Sequence, residues 1–106
     1  MATIKISYEN EPYILEYDRA SVEHMINRGL TREEIINNPF SYPELFYGAF
    51  RKNYPYVNRK VTDKIWEKLP NKEQIISVLI DMYAEPIQAL VADPEDQGNV
   101  TWEINE

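Results

Sequence analysis

From Ile75 onward the apolar residues Ile76, Leu79, Ile80, Tyr83, Ile87, Leu90 and Val91 keep helical spacing over about twenty residues. A run of that length in a chain of 106 residues demands that most of the remaining apolar side chains pack around it. The chain is long enough for one core and too short for two of ordinary size. Pro86 falls inside the run. It has no amide hydrogen to give the preceding turn, so the pattern predicts a central helix that is kinked or divided there.

The N-terminus follows a different period. Ile4, Ile6 and Tyr8 alternate with Lys5 and Ser7, the stretch Glu9 to Pro12 reads as a turn, and Tyr13 to Tyr17 reads as the returning strand. A hairpin over 3–17 is marginal alone and must lay one face on helices. Asp18 is placed to cap a first helix over about 19 to 28, stopped by Gly29. Thr31 to Glu34 has the form of a capping box opening a short second helix that Pro39 ends. Ser41 to Glu44 repeats that form ahead of Leu45, Phe46, Ala49 and Phe50, a third helix running to about Asn53. Asn58 caps a fourth, with Val61, Ile65, Trp66 and Leu69 on one stripe, and the fifth starts at Asn71. The expectation is an α+β, mainly helical fold: a hairpin, then four to five helices over 19–92, together one globular domain over 1–92. An acidic tail at 93–106 follows, expected to be mobile or else docked by Val100 to Ile104, which alternates as a short strand does.

Charge is uneven. The whole chain carries −7, yet the last fifteen residues hold Asp93, Glu95, Asp96, Glu103 and Glu106 with no basic partner. Between Arg51 and Lys72 the balance is basic, and Lys60, Lys64 and Lys68 recur every fourth residue as one ridge. With Tyr54 and Tyr56 nearby the ridge has the basic and aromatic makeup of a nucleic-acid site. The pI of about 4.7 opposes that reading, and a solvated face is the plainer one.

Known chemistries are poorly served. There is no cysteine, and His24 is the single histidine, so neither a thiolate nor a histidine pair can hold a metal. An enzyme would have to use His24 with a neighbouring carboxylate, while a histidine on a helix surface is the simpler assignment. Phosphate-cradling, zinc-protease and serine-hydrolase motifs are missing, and the carboxylates sit at caps, on polar faces and in the tail. The reading is therefore non-enzymatic, with no cofactor. No stretch has the apolar length of a membrane span and no secretory leader is visible, which points to the cytoplasm.

Seven of the thirteen aromatics lie between Phe40 and Tyr56. One helix face can bury Phe46 and Phe50, which leaves Tyr42, Tyr47, Tyr54 and Tyr56 as a candidate protein-binding surface. The alternative is a satellite core of these tyrosines against those of the hairpin.

The succession of hairpin, aspartate-capped helix, the segment Leu45-Phe46-Tyr47-Gly48-Ala49-Phe50-Arg51-Lys52-Asn53-Tyr54-Pro55, two further helices and an acidic tail ending in Thr101-Trp102-Glu103-Ile104 resembles the small tail assembly chaperones of long-tailed bacteriophages and prophages. The resemblance implies a non-catalytic protein of the host cytoplasm. Its partner would be the long helical tape measure protein, with major tail protein subunits and self-association secondary to that. A small nucleic-acid-binding regulator using Lys60, Lys64 and Lys68 is the alternative.

Overall fold

The computed structural model describes residues 2–95 and 98–105. Two strands, β1 (Ile4–Tyr8) and β2 (Glu11–Leu15), are followed by α1 (Arg19–Asn27), α2 (Arg32–Asn37), a 3-10 turn (Pro39–Ser41), α3 (Tyr42–Arg51), α4 (Arg59–Lys68) and α5 (Lys72–Ala89). The α+β, mainly helical class expected from the sequence is the one observed.

The hairpin is tighter than its sequence suggests. Glu9 and Asn10 alone form the turn, both with positive φ (51° and 66°), so β2 begins at Glu11 and includes Pro12. A two-residue loop makes Tyr8–Glu11 a hydrogen-bonded pair, and strict alternation then puts Ser7–Pro12 and Lys5–Ile14 at non-bonded positions. Pro12 therefore points its missing N–H outward, and the ladder loses nothing.

That outer edge of β2 is sealed by the C-terminal end of α3. The Glu16 amide donates to the Ala49 carbonyl (3.1 Å). The Ile14 amide donates to the Tyr54 hydroxyl (3.0 Å), and Asn53 Nδ2 donates to the Ile14 carbonyl (3.1 Å). Lys52 pairs with Glu16 beside them and, by hydrogen bond first, holds that carboxyl below its ordinary range. The inner hairpin face delivers Ile6 and Leu15 to the core, with Ile4, Tyr8 and Tyr13 half-buried around them.

Helix α3 touches α1, α4, α5 and β2. Its buried Leu45, Phe46, Ala49 and Phe50 meet Val22, Leu30, Ile35, Ile65, Leu79, Met82 and Tyr83 in one cluster. Gly48 leaves a notch on α3 that the Met25 thioether of α1 fills. Phe46 packs on Phe50 and Trp66, with ring centroids at 5.0 and 5.2 Å.

Caps follow the sequence in part. Asp18 and Ser21 form a reciprocal capping box for α1. Thr31 accepts from the Glu34 amide (3.2 Å), but the Glu34 carboxylate takes the Asn38 side-chain amide instead of closing a box. The box expected at Ser41 is not formed: Ser41 is buried in the 3-10 turn, and its hydroxyl donates to the Asn38 carbonyl (2.7 Å). Asn38 is the residue that caps there, accepting from the Phe40 amide. Asn71 supplies no side-chain cap for α5 and stands in the left-handed region, a conformation asparagine tolerates. Helix α3 ends at Arg51, two residues before the expected Asn53, and α5 runs through Pro86 undivided. Val100 to Ile104 forms no strand, and Val100, Trp102 and Ile104 are exposed.

Two phenols close the core. The Tyr17 hydroxyl donates to the Leu45 carbonyl and the Tyr83 hydroxyl to the Leu30 carbonyl, each at 2.6 Å, and the two rings meet edge to face at 5.3 Å. Burial pushes both phenols well up from their ordinary value of 10.0, each disfavoured further by a neighbour, Tyr83 for Tyr17 and Glu44 for Tyr83.

Replacing Phe46, Phe50 or Leu79 by alanine is expected to cost about 2 to 5 kcal/mol in urea unfolding, since each is fully buried; losses well under about 1 kcal/mol at all three would displace the core from this position. A folded-state pKa raised above the unfolded value of 10.0 gives stability that is complete below pH 10.0 and falls as pH rises beyond it. Two such groups predict a fall of about 2.7 kcal/mol per pH unit. Tyr17→Phe combined with Tyr83→Phe should lower stability at neutral pH by about 1 kcal/mol per lost hydrogen bond, yet flatten that alkaline slope. An unchanged slope would count against the buried pair as its origin.

Candidate partner-binding surfaces

The four tyrosines of the central segment do not share one environment. Tyr42 is half-buried at the start of α3 and packs on the core cluster. Tyr47 is half-buried between two guanidinium groups, with Arg51 and Arg59 at 5.8 and 5.4 Å from its ring. Tyr54 packs edge-on to Tyr13 at 5.3 Å, and its hydroxyl takes the Ile14 amide, so ring and hydroxyl both serve the hairpin. Tyr56 is 97% exposed.

The basic stretch is likewise divided among several tasks. Lys52 pairs with Glu16, and Arg59 donates to Asp63 one turn on (2.9 Å). Lys72 Nζ donates to the Leu69 and Glu67 carbonyls (2.7 and 3.2 Å), capping the C-terminal end of α4. Of the ridge itself, Lys60, Lys64 and Lys68 are exposed on α4. Lys68 stands 5.7 Å from the Tyr8 ring, and Lys64 shares an opening of about 430 Å³ with Tyr8, Glu9, Glu11, Tyr13 and Val61. Two acids of the hairpin tip therefore flank the middle of the ridge.

His24 is exposed on α1 and lines a shallow cleft of about 340 Å³ with Asp18, Ser21, Arg51 and Lys52. Asp18 and Ser21 are already committed to each other in the capping box, which leaves no free hydroxyl for an Asp-Ser-His relay. Among the described residues no group of three or more His, Asp or Glu could hold a metal ion. No helix among them is long and apolar enough to cross a membrane.

A surface the sequence reading passed over lies between α1 and the last turns of α5. Val22, Ile26, Pro86, Ile87 and Leu90 floor a groove of about 280 Å³, and Arg19, Glu23 and Asn27, spaced by four along α1, form a polar rim. Leu90 is 56% exposed and Val91 86% exposed at its open end. The signal was present: the α5 stripe continues through Ile87, Leu90 and Val91, a full turn past the last residue that the core buries. A second exposed apolar pair, Ile36 and Phe40, projects from α2 and the 3-10 turn.

A family model matches over residues 1–105, and its description is a domain of unknown function, DUF5055. This chain belongs to that family. No curated protein and no solved structure matches the chain.

The different environments of Tyr54 and Tyr56 predict different mutational outcomes. Tyr54→Phe removes the partner of the Ile14 amide and should cost about 1 kcal/mol in thermal or urea unfolding. Tyr56→Ala should leave stability within about 0.5 kcal/mol of the parent. Equal losses at the two positions would contradict the hydrogen-bonded placement of Tyr54.

Proposed function

We propose that this protein is a non-catalytic binding module for an apolar helical segment of another protein, and that it serves as a tail assembly chaperone for tape measure protein in the cytoplasm of a phage's host. The observation that carries the reading is the groove between α1 and α5. Its apolar floor and charged rim match the two faces of an amphipathic helix, and groove docking needs only such a stripe at helical spacing. Exposed Val91 extends the apolar contact beyond the groove. Tape measure protein is long and helical in the proteins that the sequence resembles, so it offers many such stripes. Net charge of −7 would keep a complex of exposed apolar helices soluble. Recruitment of major tail protein subunits is a secondary part of the same proposal.

A nucleic-acid-binding regulator is the second reading, favoured by Lys60, Lys64 and Lys68 on one exposed face. It is weakened by Glu9 and Glu11 beside Lys64 and by the other basic residues that cap, pair or stack within the fold. Phosphate contacts would make such binding fall steeply with salt.

Co-expression with the products of neighbouring genes tests the proposal. A long helical partner should become soluble and co-purify, and Leu90→Asp should weaken that complex at least about tenfold while far-UV circular dichroism is unchanged. A tape measure protein that stays insoluble and unbound would defeat the chaperone reading. Salt-sensitive recovery of DNA or RNA, lost in a Lys60, Lys64, Lys68 triple alanine variant, would put the ridge in its place.

A further inference from the structure

One edge of the hairpin is covered and the other is open. On β2 the outward-facing amides of Ile14 and Glu16 and the Ile14 carbonyl are taken by α3 and the residues after it, and Pro12 has no N–H to offer. On β1 the outward positions are Lys5 and Ser7, by the same alternation of bonded pairs. Both residues are exposed, and among the described residues nothing is bonded to their outer N–H and C=O groups. An open edge is a template for another strand unless something occupies it.

The chain also carries a segment with the residue pattern of a strand that has not formed one. Val100, Thr101, Trp102 and Ile104 are β-branched or aromatic, and the stretch alternates with Val100, Trp102 and Ile104 on one side and Thr101 and Glu103 on the other. The three apolar side chains are 78%, 82% and 73% exposed. Val100, Thr101 and Trp102 border an opening together with Asp93 and Pro94 of the same tail.

We propose that Val100 to Ile104 of one copy adds as an antiparallel third strand to β1 of a second copy, the two copies exchanging these segments reciprocally. One register satisfies every position. Ile104, Trp102 and Val100 lie opposite Ile4, Ile6 and Tyr8, extending the inner hairpin face at which Ile4 and Tyr8 are only half-buried. Glu103 lies opposite Lys5, and Thr101 opposite Ser7, on the solvent face. These two are the bonded pairs, so the free groups of Lys5 and Ser7 are the ones filled. The antiparallel direction brings the chain in past Tyr8, which sets Asp93 and Glu95 toward Lys64 and Lys68, the lysines that flank Tyr8. The basic ridge and the acidic tail, opposite in sign within one chain, then meet across the interface. Lys5 on the edge gives selectivity: a strand without a carboxylate at the facing position leaves it unpaired. Exchange of identical arms closes with two-fold symmetry, so association stops at the dimer.

Sedimentation equilibrium on the full chain tests this. The expected result is a species of twice 12.5 kDa that dissociates as salt is raised. Thr101→Pro, in the exposed tail, and removal of residues 93–106 should each give a folded monomer with unchanged thermal unfolding of the helical body at matched low concentration. Glu103→Lys and Lys5→Glu should each weaken the dimer roughly tenfold, because two facing pairs become like-charged, and the double exchange should restore it. A monomer at all concentrations would overturn the proposal. So would a dimer indifferent to Thr101→Pro, or a double exchange that fails to restore association. The proposal is independent of the groove between α1 and α5: Thr101→Pro should still bind the helical partner, and Leu90→Asp should still dimerise.

Discussion

A two-stranded hairpin has no interior, so its position is determined by what it is fastened to. Here the fastening is concentrated at Tyr17, the second residue beyond β2. Its hydroxyl reaches the Leu45 carbonyl of α3 and its ring meets that of Tyr83 on α5. Tyr83 in turn reaches the Leu30 carbonyl, between α1 and α2. Two phenols thereby tie the hairpin, α3, α5 and the link from α1 to α2 into one set of contacts. An apolar pair could fill the volume but would leave the Leu30 carbonyl, which lies outside any helix, without this bond, and a buried polar group loses more when unpaired than it gains when paired.

Given that anchor, α3 acts on both sides of the molecule. One side supplies Leu45, Phe46, Ala49 and Phe50 to the core, and its C-terminal end, with Asn53 and Tyr54, covers the outer edge of β2. Covering β2 at Ile14 and Glu16 while leaving β1 open makes the hairpin asymmetric. The core likewise buries α5 as far as Pro86 and leaves Ile87, Leu90 and Val91 beyond it. Both unfinished surfaces are consequences of where the packing of α3 stops.

The fold was largely legible in sequence because its signals are periodic. Alternation at Ile4, Ile6 and Tyr8, helical spacing from Ile75 to Val91, and Asp18 ahead of Val22 each identify an element from within a few residues. Local rules failed where a tertiary contact decided the outcome. Ser41 to Glu44 has the form of a capping box, yet Ser41 is buried and donates to Asn38, because the 3-10 turn sets α3 on its neighbours. Pro12 looks like a turn residue until the two-residue loop at Glu9 and Asn10 places its missing N–H on the outward side. Pro86 looks like a helix break, but α5 continues past it with its ring buried in the groove floor.

Surfaces are harder to read because exposure is a property of several elements at once. Tyr54 and Tyr56 are neighbours of the same type in the same aromatic segment, and only the position of the hairpin makes one a structural residue and the other a solvated one. The lysines show the same dependence: Lys72 caps α4 and Lys52 holds Glu16, while Lys68 stands over Tyr8 of β1 and Lys64 beside the hairpin tip. A count of basic residues sees one patch there; the fold separates those that stabilise helices and strands from those still able to meet a carboxylate. That separation makes the residual positive charge small and local, suited to a short acidic strand more than to the regularly spaced phosphates of a nucleic acid.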